Sequence, residues 1–431
     1  MKILIVNKFL YPNGGSETYI FKLGKELLNQ GHEVQYFGME HEGRIVGNHA
    51  NSYTSNMDFH TGKLAKLAYP FKIIYSKEAY KKITTVLDDF KPDVVHLNNF
   101  NFQLTPSVIY AIRDWEKRRN TKCKIVYTAH DGQLVCPNHL MQQYISQERC
   151  DLCIKGSPMN CAKHKCIHGS TVKSLLGSLE AMIYRTKKTY SMIDLVICPS
   201  AFLKNRLDAL PELRDKTVVM HNFVDANNND ALKNNSENVH DTINNHNIVD
   251  AHDAINTEKY ILYLGRFSEE KGVKTLLKVC RELEKEAPDI AFKFAGNGPL
   301  EDEVNSLSNI ENLGFLSGET LVNAISNAMF TIFPSECNEN CPFTVIESQI
   351  YGTPIIAANV GGVPEVMKDL ETGELFEPGD AKTLKAKILE LYSDNDKLNR
   401  YRENCKKQKF ADLEEYTEKF LELVKQDELT S

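Results

Sequence analysis

The chain has 431 residues, of which 42% are apolar and 25% charged, and a formal net charge of −7. That length predicts two domains, each large enough to bury its own core, and an acidic balance without a long basic stripe excludes a nucleic-acid partner. No apolar run reaches the roughly 18 residues that cross a bilayer, and Met1–Val6 leads into Asn-Lys without a signal-peptide core, so a cytoplasmic location is expected.

Lys2–Asn7 reads as a first strand, Pro12-Asn-Gly14-Gly15-Ser16 as a turn, and the residues through Leu28 as a helix closed by Gly31. A strand, a glycine-rich turn and a helix form an anion-binding unit, although the dinucleotide fingerprint Gly-x-Gly-x-x-Gly is absent. Short apolar runs at Val34–Phe37, Val94–Leu97, Ile125–Thr128 and Leu195–Cys198 alternate with helical stretches. This alternation predicts an α/β fold with a parallel, doubly wound sheet. His130 follows directly on one of these strands, at the end where ligand-facing groups gather.

Eleven cysteines, an odd number, argue against a disulfide framework. Within the segment 136–168 they crowd together: Cys150-x2-Cys153 is followed by Cys161 and Cys166. Two readings stand side by side, a structural zinc held by these four thiolates and a set of reduced, partly buried thiols. From Lys155 to Tyr190 seven Lys or Arg face one acid, Glu180, and Val172, Leu175, Leu176, Leu179, Met182 and Ile183 recur at helical spacing. Such a helix either rests on an anionic membrane or packs its apolar face on its own domain. The segment 225–258, with ten Asn and seven acids against one Lys, reads as a mobile boundary between domains.

Tyr260–Leu264 opens a second alternating domain, and Gly265-Arg-Phe-Ser-Glu-Glu-Lys-Gly272 follows it. Arg266 and Lys271 flank the mouth of a strand, turn and helix, where two cations suit a diphosphate. Ala291–Gly296 and Asn297-Gly298-Pro299 form the next strand and turn. The run Phe330–Phe333 then leads through Pro334 and Ser335 into a loop carrying Glu339, and Pro342 is expected at the first position of a helix that carries Glu347. The open helix end suits an anion, and the two carboxylates suit sugar hydroxyls. Leu413–Lys425 reads as a final amphipathic helix.

The spacing Glu339-x7-Glu347, with Pro334-Ser335 before it and Gly352-Thr-Pro-Ile-Ile and Gly361-Gly362-x-x-Glu365 after it, resembles the retaining glycosyltransferases of family 4. The resemblance covers nearly the whole chain except the Asn-rich segment and, less securely, the Cys-rich one. It implies the GT-B fold, with two Rossmann-like doubly wound domains facing across a crevice and a terminal helix returning to the first domain. The implied division is 1–224 for an acceptor domain, 225–258 for a linker, 259–410 for a donor-binding domain and 411–431 for the crossing helix.

It also implies a nucleotide diphosphate sugar as donor, a hydroxyl acceptor, with a lipid-linked glycan as one form, and peripheral contact with a membrane. On this resemblance Arg266 and Lys271 hold the diphosphate, Glu347 the ribose and Glu339 the donor sugar. Gly14 and Gly15 face the diphosphate and acceptor, His130 the sugar, Gly296 the nucleotide, and Asn340, Cys341 and Phe343 the donor. These last three stand where the commoner pattern has Gly-Phe-Gly, which leaves the sugar unnamed. The one Asp-x-Asp spacing, Asp394-Asn-Asp396, lies between two helical stretches and reads as a helix cap, so no catalytic metal or other cofactor is expected. An epimerase or phosphorylase of the same fold, and a non-catalytic sugar-nucleotide binder, are the alternatives.

Overall fold

The structure, a computed structural model, describes residues 1–56, 73–224 and 259–426. The chain divides into two compact units, one formed by Met1–His221 with the segment from Leu413 onward, the other by Asn222–Asp412. The Asn-rich segment 225–258 lies outside the described residues.

The first unit holds six parallel strands: β1 (Lys2–Val6), β2 (Glu33–Phe37), β3 (Val94–Leu97), β4 (Lys124–Thr128), β5 (Leu195–Cys198) and β6 (Thr217–Val219). Their spatial order is β2-β1-β3-β4-β5-β6. The four residues of β3 are all buried, as in a sheet covered on both faces. Helices Lys77–Phe90 and Ser107–Arg119 pack on it through Ile83, Val86, Leu87, Ile109, Ile112 and Trp115. The helix Leu413–Lys425 forms at the bounds expected and belongs to this unit. Phe420 lies against His96 with ring centroids 5.0 Å apart, and Tyr416 and Tyr19 hydroxyls are 3.0 Å apart.

The second unit repeats the plan with β7 (Tyr260–Leu264), β8 (Ala291–Ala295), β9 (Ile310–Gly314), β10 (Thr331–Phe333), β11 (Ile355–Ala358) and β12 (Gly373–Phe376). Here the order is β12-β11-β10-β7-β8-β9, again all parallel. The α/β, doubly wound GT-B class expected from the sequence is therefore observed. In each sheet the winding reverses once, between β1 and β3 in the first and between β7 and β10 in the second. Loops leaving two adjacent strands in opposite directions open a crevice there, which is where open α/β sheets bind ligands.

Candidate active site

At the reversal in the second unit, β7 runs out into Gly265 and Arg266, and a 3-10 turn, Glu269–Lys271, brings the lysine back. Gly272 has φ +70°, and a Cβ there would stand 1.8 Å from the Pro334 carbonyl, so only glycine lets this loop lie against the one leaving β10. Lys271 Nζ consequently reaches Glu339 Oε1 at 2.6 Å. Ser335 Oγ donates to the same oxygen at 2.7 Å and Cys337 Sγ at 3.6 Å. Burial raises the Glu339 pKa, but the Lys271 ammonium and the donated bonds outweigh it and hold the carboxyl below the usual range. Burial works against the Lys271 charge too, and Glu339 more than restores it, so the pair is ionic. The Glu339 backbone is also fixed: Gly362 N–H donates to its carbonyl at 2.8 Å, and at Gly361, φ +55°, a Cβ would be 1.8 Å from that oxygen.

The helix after this loop is Phe343–Ile350, and Pro342 is its cap in extended backbone, one position before the first-turn place expected. Pro342 supplies no capping side chain, and neither do Gly272 or Gly14 ahead of their helices. Ser76, Ser170, Ser200, Asp380 and Asp394, ahead of other helices, each accept a backbone N–H. These three helix starts keep their positive ends uncapped by side chains, as do those at Pro106 and Ser317. Glu347 lies half-buried inside the first of these helices and Asn340 half-buried in the loop before it.

Cys341 is turned inward. Its sulfur and carbonyl accept from Asn222 N–H and Nδ2 at 3.2 and 2.7 Å, and burial pushes its thiol up to about 12. Phe343 packs on Phe223 at 6.0 Å. Gly296, after β8, donates to Gly314 O at 2.8 Å and joins the ends of β8 and β9. Arg266 is exposed, and among the described residues it makes no ion pair.

In the first unit, Gly14 is extended and exposed, and Gly15 starts the helix Gly15–Asn29. The turn is tied down by asparagines: Asn99 N–H donates to Asn7 Oδ1 at 3.0 Å and Asn99 Nδ2 to Ser16 Oγ at 2.9 Å. Next to it His130 Nε2 lies 2.8 Å from Asn98 Oδ1. Asn98 Nδ2 donates to the His96 carbonyl, which fixes the amide's orientation and makes His130 Nε2 the protonated nitrogen. His130 then presents Nδ1 as an acceptor. Burial, only partly offset by Asp131, lowers its pKa to about 4, so the ring is neutral at pH 7. His96, fully buried and 2.8 Å from Thr128 Oγ1, is lowered to about 3 by burial and then by His130.

Asn7, Asn98, Asn99 and Ser335 hold the candidate groups in place and were not singled out from the sequence. Their signal is position: each stands directly or almost directly after a strand, at its carboxyl end.

The helix Thr171–Thr186 does not fully bury the apolar face that its spacing marks. Its buried face is Ser174, Gly177, Ser178, Glu180 and Tyr184, while Val172, Leu175 and Met182 are 69%, 40% and 37% exposed. The reason is that this helix supports irregular backbone: Ser174 and Ser178 hydroxyls accept the N–H groups of Ile167 and Ala162. Around that backbone Cys136, Cys150, Cys153, Cys161 and Cys166 line one cavity as free thiols. Among the described residues no three His, Cys, Asp or Glu side chains stand ready to hold a metal ion. No described helix is long and apolar enough to cross a membrane.

Two parallel doubly wound units are the architecture of the GT-B fold. Residues 13–228 match the profile of Glycosyltransferase Family 4 and residues 244–408 that of Glycosyl transferases group 1. The chain belongs to this family and is a glycosyltransferase. An uncharacterized glycosyltransferase of Methanocaldococcus jannaschii is 28% identical over 246 residues, which is 56% of this chain and 61% of that protein. An uncharacterized 42.6 kDa protein in the cps region of Klebsiella pneumoniae is 23% identical over 385 residues, 86% of this chain and 88% of that one. In fold the chain is similar to Anabaena HepE in complex with UDP, with a TM-score of 0.63, 15% identity and coverage of 99% and 100% of the two chains.

Proposed function

We propose that the protein transfers a sugar from a nucleoside diphosphate sugar to a hydroxyl acceptor with retention of anomeric configuration. The observation that carries this is the Lys271, Ser335 and Glu339 cluster beside an uncapped helix start at the sheet reversal. Departure of a nucleoside diphosphate builds charge on its β-phosphate. Lys271, Arg266 and the helix end at Pro342 meet that charge, and electrostatic support of a leaving group is commonly the largest catalytic term. Glu347 holds the ribose hydroxyls. Glu339 keeps Lys271 in place through Oε1 and offers Oε2 to a hydroxyl of the donor sugar. His130 Nδ1 accepts from a sugar hydroxyl, and Gly14 and Gly15 serve the diphosphate and acceptor. Catalysis rests on positioning and charge, with no covalent nucleophile among these groups.

The acceptor we favour is a lipid-linked glycan of cell-surface polysaccharide or glycolipid synthesis. Val172, Leu175 and Met182 stand exposed on a helix that also carries the exposed Lys173, with Lys187 and Lys188 just past its end. Such a surface suits an anionic bilayer. The test is nucleoside diphosphate release across UDP, GDP and ADP sugars, with and without lipid-linked acceptors. Release from one donor supports the reading; consumption of inorganic phosphate in its place turns it into a phosphorylase, and interconversion of the free donor into an epimerase.

A further inference from the structure

The segment 136–170 has no core in proportion to its length. Its regular structure is two helices of four and five residues, and its own apolar cluster is Cys153, Cys161 and Cys166 with Ile167 against them. Yet its backbone is demanding: His139, Met141, Gln147, Lys165 and His168 have φ between +50° and +68°, five of the twelve such non-glycine residues among those described. Left-handed backbone at such residues persists only where the surroundings over-determine it. Hydrogen bonds donated by its Ile167 and Ala162 N–H groups to the Ser174 and Ser178 hydroxyls hold one side of the segment. The other side faces the cavity lined by the five thiols.

That cavity admits the centre of a water-sized sphere over only about 10 Å³, room for one ion and far too little for an organic ligand. Beside it lies a guanidinium held by neutral carbonyls. Arg185 Nη1 donates to Cys153 O at 2.7 Å and Nη2 to Val135 O at 2.6 Å, both neutral carbonyls, and its Nε is buried without a partner. Among the described residues Arg185 makes no ion pair with a carboxylate. A partly buried guanidinium in this position calls for negative charge nearby. Lys163, Lys165 and Lys173 add positive charge to the same stretch, while Lys155 is paired with Asp151.

We propose that the cavity is a structural zinc site, with Cys150, Cys153, Cys161 and Cys166 as ligands. Binding converts four thiols to thiolates, releases their four protons to solvent and leaves a centre of net charge −2 next to the Arg185 guanidinium. The four thiols surround the space without forming a ready ligand group, so binding would have to draw them together. Cys136 is left out because its sulfur donates to Asn138 Oδ1 at 2.8 Å, a closer bond than the one Cys153 Sγ makes to the Pro158 carbonyl at 3.7 Å.

The test is elemental analysis of the full chain, purified without a metal-affinity tag under reducing conditions. One zinc per chain is expected, released by an organomercurial together with the exposure of four thiols. Cys161→Ser should retain less than about a tenth of the metal, while Cys280→Ser, buried in the other unit, keeps it. Absence of zinc from the wild-type chain, before and after dialysis against zinc under reduction, overturns the site, as does the finding of disulfides among these cysteines. Cys136→Ser losing the ion while Cys150→Ser keeps it overturns the choice of the fourth ligand.

Discussion

Lys271 and Glu339 form one unit at 2.6 Å, so removing either strands the other in a half-buried setting. Lys271→Met and Glu339→Gln should each weaken donor binding. The double variant should cost about 1 to 2 kcal/mol less than the sum of the two, the coupling of a charge-assisted bond with partial solvent screening. Additive losses in a double-mutant cycle on the dissociation constant for nucleotide sugar would show that the pair does not act together. The paired carboxylates were legible from their spacing. The fixing of Glu339 by Gly361 was not, because it depends on a backbone contact between two loops 22 positions apart, with a Cβ clash at 1.8 Å. Gly361→Ala tests it: a fall in melting temperature accompanied by weaker donor binding is expected, and an unchanged affinity would detach the glycine from the site.

Among the elements, β3 carries the buried His96, and the half-buried His130 stands two residues past β4. Both are held neutral, with pKa values near 3 and near 4. Below pH 6.5 the unfolded chain takes up protons at these rings and the folded chain does not, so stability falls as the pH drops from 6.5 toward 4. The loss should approach about 3 kcal/mol for each ring by pH 4. Thermal unfolding followed over this range reads it directly, and His130→Gln should remove about half the slope. A profile equally steep in the variant would place the titration elsewhere.

The helix Thr171–Thr186 shows where periodicity misleads. Its apolar spacing was legible, but the buried face is set by hydroxyls that serve the backbone of a segment without regular structure, which no periodicity records. Its exposed Val172, Leu175 and Met182 beside lysines predict sedimentation with anionic vesicles at low salt and release as salt rises. Equal recovery with neutral vesicles would remove the electrostatic half of that account.

At the scale of the whole molecule, both parallel sheets were legible, because four or five apolar residues in a row between helical stretches leave few other folds. Two strands were not. Thr217–Val219 has three residues, and Gly373–Phe376 contains Glu374, a charge buried by ion pairs with Lys387 and Lys397 that a linear pattern cannot show. The positions of the sheet reversals were equally hidden, since they follow from strand order. They explain why the candidate groups gather after β1, β3 and β4 in one unit and after β7 and β10 in the other.

The central claim is that protein cations alone stabilise the departing nucleoside diphosphate. Asp394 supports it to the extent that its carboxylate accepts the Lys397 N–H at 2.8 Å as a helix cap, which accounts for the chain's one Asp-x-Asp spacing without an ion. The most direct measurement is kcat/KM for nucleoside diphosphate release in the presence of EDTA, for the wild type and for Lys271→Ala. The account predicts that wild-type turnover survives the chelator and that Lys271→Ala lowers it by about 2 to 4 kcal/mol of barrier, roughly 30- to 1,000-fold. Turnover abolished by EDTA and restored by magnesium or manganese would contradict it.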